Sequence, residues 1–169
     1  GWGAGASQKG EPFAVEEAWL RDMLGDLTGR VLDVGCGEQP YSDLLEEKIR
    51  GGEISSYLGL DPDGAALARL RERGFPGQLL QGQVEHAPLD GTCFDHVLAL
   101  RTVNHVLDLP RALAVMTRLL RPGGTLLLSD MTVYGLLRQP EQVARADATG
   151  RDQEHHQNLD GAGVLALLD

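Results

Sequence analysis

The sequence predicts an α/β domain whose sheet is mainly parallel and doubly wound, with helices on both faces. Three observations lead there. Short apolar runs of strand length alternate with segments of helical periodicity, a glycine bend follows the first run, and a carboxylate closes the second. Parallel neighbours need crossover connections, and the helical segments supply them.

Taken in order, Phe13, Val15, Ala18, Trp19, Met23 and Leu27 follow helical spacing, so a lead-in helix is expected over roughly 13–27, ended by Gly25 or Gly29. Residues 30–34 read as a buried strand running into Gly35-Cys36-Gly37, and Pro40 is placed to open a helix through about Lys48. A second strand, 54–60, ends in Asp61, and the helix expected over 65–73 is stopped by Gly74 and Pro76. Residues 77–82 form a short third strand and 94–100 a fourth, followed by a loop and a helix over 110–120. Arg121-Pro122-Gly123-Gly124 is a turn before a fifth strand, 125–129. After Asp130 the pattern weakens, and residues 135–157 are expected to be mobile or to cap a site. The last segment reads as a capped helix with Leu165 and Leu168 inward.

At 169 residues and 42% hydrophobic content the chain fits one domain with a continuous core. Residues 1–12, which are Gly-rich and lack an initiator Met, are read as a disordered or expression-derived lead, and 13–169 as the domain. The excess of 25 Asp and Glu over 15 Lys and Arg disfavours nucleic acid and anionic membranes as partners. Two cysteines, Cys36 and Cys93, make no disulfide framework. No apolar run approaches the ~20 residues of a membrane span, so a soluble, cytoplasmic protein is expected.

The densest chemical signal is residues 31–41, Val-Leu-Asp-Val-Gly-Cys-Gly-Glu-Gln-Pro-Tyr. Glycine at 35 and 37 lets the backbone turn sharply and brings a ligand close to main-chain N–H groups, although a tight strand-to-helix turn needs glycine for steric reasons too. Asp61 ends the next strand, where adjacent strand ends share one crevice. A carboxylate there accepts both hydroxyl protons of a ribose, or else caps the following helix.

With these residues in place, the chain resembles the class I S-adenosylmethionine-dependent methyltransferase family, of small-molecule type. The resemblance rests on the glycine turn 32–37, on Gly59-Leu60-Asp61, on the strand Phe94-Asp95-His96-Val97-Leu98-Ala99, and on 119–126 with its Arg-Pro-Gly-Gly turn, together covering about residues 28–130. It implies a Rossmann-like fold, S-adenosylmethionine as cofactor with S-adenosylhomocysteine as product, and methyl transfer to an O, N or C atom of a small acceptor, such as a natural product. By the same resemblance Gly35, Cys36 and Gly37 face the methionine portion and Asp33 orients it. Asp61 holds the ribose, Pro62 packs on adenine, Val84 and Glu85 lie beside the ring, and Leu100 and Arg101 border the sulfonium. Gln83 stands where the family has an acid for the adenine amino group; its carbonyl is able to accept the same bond.

Two further departures stand out. Gln39 takes the place of the third glycine in the family's pattern. The two final strands of the usual seven-stranded sheet are not represented, which implies an exposed edge completed by a missing segment, a second copy or a neighbouring domain.

Where the acceptor needs deprotonation, histidine is the natural base. His105, after the fourth strand, is the first candidate, and helix capping or packing is its bland alternative. His155 and His156 are either substrate contacts or a solvated pair; His86 belongs to an adenine-side loop and His96 to a strand interior. Glu154-His155-His156 with Asp160 fits no standard zinc spacing, so no metal is expected. A nicotinamide-dependent oxidoreductase is disfavoured because Pro40 stands where that fingerprint has its third glycine. A non-catalytic methyltransferase-like binding or scaffold domain is the main rival.

Overall fold

The computed structural model describes residues 11–91, 93–100 and 106–129. In chain order these form α1 (Glu11–Gly25), β1 (Gly29–Val34), α2 (Ser42–Arg50), β2 (Ile54–Asp61), α3 (Gly64–Glu72), β3 (Gln78–Gln81), a 3-10 turn (Val84–His86), β4 (Phe94–Leu100), α4 (Leu109–Leu119) and β5 (Leu120–Ser129). The five strands make one sheet in the order β3-β2-β1-β4-β5, with every neighbouring pair parallel. The order reverses beside β1, and in open parallel sheets ligands settle at such a reversal, beyond the carboxyl ends of the strands.

Strand periodicity divides the core into two layers. On β1 and β4, Leu32, Val34, Val97 and Ala99 face one side, where they meet Leu109, Ala112, Leu113, Met116 and Leu119 of α4. Val31 and Leu98 face the other, against Leu20 and Leu24 of α1, Leu45 of α2 and Leu70 of α3. The five α4 residues form a stripe at helical spacing, and each large apolar side chain buried there contributes about 1.5–3 kcal/mol.

Caps fix the helix starts. Asp63 Oδ1 accepts from the Ala65 and Ala66 N–H groups at 3.0 and 3.1 Å, and Asp108 Oδ1 accepts from Arg111 N at 3.1 Å. Buried Lys48 donates to the Gly25 carbonyl at 2.6 Å and to Glu53 at 2.5 Å, closing the α1 C-terminus against α2.

Two expectations are corrected. α2 starts at Ser42, and Pro40 belongs to the preceding turn, because Gln39 takes φ 53° and the chain is not yet helical there. Strand pairing at β5 starts at Leu120: Phe94 pairs with Leu120 and His96 with Thr125, so residues 121–124 bulge out of the ladder. Asp95 holds the bulge, accepting from Arg121 Nε on one oxygen and from Arg30 N at 2.7 Å on the other. The helix expected near the C-terminus, the sheet-completing strands and the 135–157 segment lie outside the described residues. No helix among the described residues is long and apolar enough to cross a membrane.

Candidate functional site

A cavity of about 310 Å³ opens beyond the carboxyl ends of β1, β2 and β3, lined by Val34, Gly35, Leu60, Asp61, Pro62, Gly82, Gln83, Val84, Glu85, Val106 and Leu107. Its size falls within the roughly 300–1,000 Å³ of small-molecule pockets. Six of the residues singled out from sequence thus converge: Gly35, Asp61, Pro62, Gln83, Val84 and Glu85. Gly82, Val106 and Leu107 join them. Gly82 was legible only as a strand end, while Val106 and Leu107 carry no chemical signature.

The bend holds the wall in shape. Gly35 and Gly37 take φ 71° and 52°, values that L side chains rarely adopt. Gly35 N and Cys36 N both donate to the Leu60 carbonyl, at 2.7 and 3.2 Å, and Gly37 N donates to Asp61 Oδ2 at 2.8 Å. The main-chain donors expected to meet a ligand are therefore taken up by β2 and Asp61. The bend offers the cavity a bare backbone surface at Gly35 instead.

Asp61 keeps acceptor capacity. Its Oδ1 takes the Asp63 N–H at 2.8 Å and its Oδ2 the Gly37 N–H, while a carboxylate has about four lone-pair sites. Capping of α3 falls to Asp63, so the alternative role for Asp61 belongs to its neighbour. Beyond β3, Glu85 is buried, and burial leads the causes that raise its pKa above the ordinary value. Arg111 Nε donates to the Glu85 carbonyl at 3.2 Å and ties the start of α4 to this wall.

Asp33 stands apart. Residues alternate along a strand, so Val34 faces the cavity layer and Asp33 the opposite one. There it is fully buried: the Tyr57 hydroxyl donates to its Oδ2 at 2.5 Å, and Gln39 Nε2 donates to the same oxygen. Burial is the largest influence, and it pushes the carboxyl up to about 7, against the opposing hydrogen bonds from Tyr57 and Gln39. Gln39 pays roughly 1–2 kcal/mol for its left-handed backbone, and its buried amide makes three hydrogen bonds in return, with Asp33, Tyr57 Oη at 3.1 Å and Tyr41 N at 3.1 Å. Sequence reasoning noted Gln39 as a missing glycine and overlooked Tyr57.

Cys36 points inward as well. A Cβ on Gly59 would stand 2.8 Å from its Sγ, and burial, with the charges of Asp33 and Asp61, pushes the thiol far above its usual range. Leu100, paired with Ser129, does not line the cavity. His86 is exposed on the 3-10 turn, and His96 is half-buried, its Nδ1 without a partner among the described residues. Arg101, His105, Glu154, His155, His156 and Asp160 lie outside the described residues.

A family model described as a methyltransferase domain matches residues 32–128. The chain is 32% identical to a probable S-adenosylmethionine-dependent methyltransferase of Mycolicibacterium smegmatis, covering 98% of this chain and 60% of that protein. It is also 32% identical to a ubiquinone biosynthesis O-methyltransferase of Aeromonas salmonicida, over 67% of this chain and 48% of that one. It thus spans about half the length of these curated relatives. Among solved structures, the YcgJ protein of Bacillus subtilis shares the fold, with TM-score 0.68 at 18% identity over 91% of this chain and 66% of that one. S-adenosylmethionine-bound CalS10 of Micromonospora echinaspora, an amino pentose methyltransferase, matches with TM-score 0.54 at 29% identity over 70% of this chain and 50% of that one.

Proposed function

The chain belongs to the class I S-adenosylmethionine-dependent methyltransferase family, and from that membership we propose that it binds S-adenosylmethionine in the cavity beyond β1, β2 and β3 and methylates an oxygen, nitrogen or carbon atom of a small molecule. One observation carries the reading: a bare glycine bend, a ribose-competent carboxylate and a neutral amide meet in one crevice. Asp61 accepts the ribose hydroxyls with the lone pairs left by Gly37 and Asp63. Pro62 and Val84 flank the adenine, the Gln83 carbonyl accepts from its amino group, and Glu85 borders the ring. Gly35, Gly37 and the Cys36 backbone shape the methionine end; the family resemblance puts Arg101 toward the sulfonium, and Leu100, which does not line the cavity, is left out of the site. Asp33 acts from beneath the bend.

The bound donor supplies a methyl group already activated for displacement. The protein's task is then to hold the acceptor atom at near-attack distance and to keep water out. An acceptor hydroxyl or protonated amine also needs a base, and His105 is proposed for that step. The names of two relatives, a ubiquinone biosynthesis O-methyltransferase and an amino pentose methyltransferase, favour a small polar biosynthetic acceptor, including natural products. A cytoplasmic setting suits the donor and the two free cysteines.

Calorimetric titration with S-adenosylmethionine, S-adenosylhomocysteine and NADH tests the cofactor. Micromolar binding of the first two and none of the third is expected; the reverse preference refutes the proposal. A screen of candidate acceptors with mass-spectrometric detection of the methylated product tests the reaction. Binding without turnover of any acceptor favours the scaffold reading.

A further inference from the structure

Gln39 joins three parts of the molecule that the cofactor reading needs in register. Its Nε2 reaches Asp33, two residues before the bend on β1, and Tyr57, four residues before Asp61 on β2. Its Oε1 accepts from Tyr41 N, where the chain leaves the bend for α2. Tyr57 in turn donates to Asp33, closing a buried triangle beneath the cavity wall. A glycine at position 39 would adopt φ 53° more easily and make none of these bonds. The backbone therefore does not require glutamine here; the triangle does.

We propose that Gln39 is a positioning residue for the methyl donor: acting through Asp33 and Tyr57, it fastens β1 to β2 under the glycine bend and fixes the bend against Asp61. The inference rests on the cofactor reading above. Its electrical consequence follows from the same contacts. An ionised Asp33 beneath the bend favours the ammonium of the methionine end, and the amide of Gln39 is one of two donors that support that charge.

The titratable groups around Asp33 are Tyr57 of β2, Cys36 of the bend and Asp61 at the end of β2. On the far side of Gln39, the Tyr41 hydroxyl donates to Glu17 of α1 at 2.9 Å. The Tyr57 and Cys36 pKa values are pushed up, by burial first and by the nearby carboxylate, so both stay neutral near pH 7. The Asp33 carboxyl, raised to about 7, titrates there, and removing a donor moves its midpoint upward.

The test is calorimetric affinity for S-adenosylhomocysteine from pH 6 to 9 in the wild type, Gln39→Gly, Gln39→Met and Tyr57→Phe, with thermal unfolding recorded for each. Wild-type affinity is expected to rise with pH through about 7. Gln39→Gly should fold, bind about tenfold more weakly at pH 7, and show its rise at higher pH; Tyr57→Phe should shift the same way. If Gln39→Met does not fold, Gln39→Gly decides. Wild-type affinity and pH profile in Gln39→Gly, or a uniform loss with no pH shift, overturns the positioning role alone. A wild type that binds no S-adenosylhomocysteine at any pH overturns the cofactor reading with it.

Discussion

The Gly37 N–H and Asp61 Oδ2 stand 2.8 Å apart, so the bend after β1 is tied directly to the acid that ends β2. This contact aims the carboxylate across the crevice and leaves its remaining lone pairs to a ligand. Asp61→Ala should therefore weaken S-adenosylhomocysteine binding by about 1–3 kcal/mol, the cost of leaving buried polar partners unmatched. Asp63→Ala should instead lower stability by about 1 kcal/mol through its lost cap, with affinity nearly intact. Calorimetry and denaturant unfolding on both variants separate the two roles, and swapped effects would reassign them.

Asp33 makes stability depend on pH in an unusual direction. Its carboxyl rises from 3.8 to about 7 in the folded protein, so between these values the native state holds a proton that the unfolded chain releases. Its contribution to stability therefore falls as pH rises through that window, and the loss is complete above about 7. Urea midpoints from pH 4 to 8 should show this slope in the wild type and a flatter one in Asp33→Asn.

Gly59 is fixed by what surrounds it. A Cβ there would lie 2.8 Å from Cys36 Sγ and 2.9 Å from Leu79 Cδ2. Gly59→Ala should cost roughly 1–3 kcal/mol through overpacking. Adding Cys36→Ala removes one of the two collisions and should recover part of the lost melting temperature.

Asp95 and Arg121 offer unequal contributions to one contact. Asp95 also accepts the backbone N–H of Arg30, whereas Arg121 is half-exposed. Asp95→Ala is expected to cost about 1–3 kcal/mol and Arg121→Ala less than about 1 kcal/mol. Equal losses in unfolding experiments would mean that the ion pair dominates.

Much of this was legible in the sequence because the signals were local. Apolar runs placed all five strands, glycine and acid at strand ends named Gly35 and Asp61 of the cavity wall, and the family resemblance supplied Pro62, Gln83, Val84 and Glu85. What escaped depended on which face a side chain takes and on what lies across the sheet. The family resemblance implies that Asp33 orients the methionine end, and strand alternation turns its side chain to the layer beneath the bend. Tyr57 carries no local signal of its role, and only the parallel pairing of β1 with β2 brings it to Asp33. Gln39 read as a lost glycine because its compensation comes from residues 6 and 18 positions away. The bulge at 121–124 was read as a simple turn because nothing local reveals that Leu120 already pairs with Phe94.

A crystal structure of the protein with S-adenosylhomocysteine tests the account most directly. The ribose hydroxyls should lie within hydrogen-bond distance of Asp61, with the adenine between Pro62 and Val84 and its amino group at Gln83. An adenosyl group bound elsewhere, or one whose ribose leaves Asp61 untouched, would contradict it.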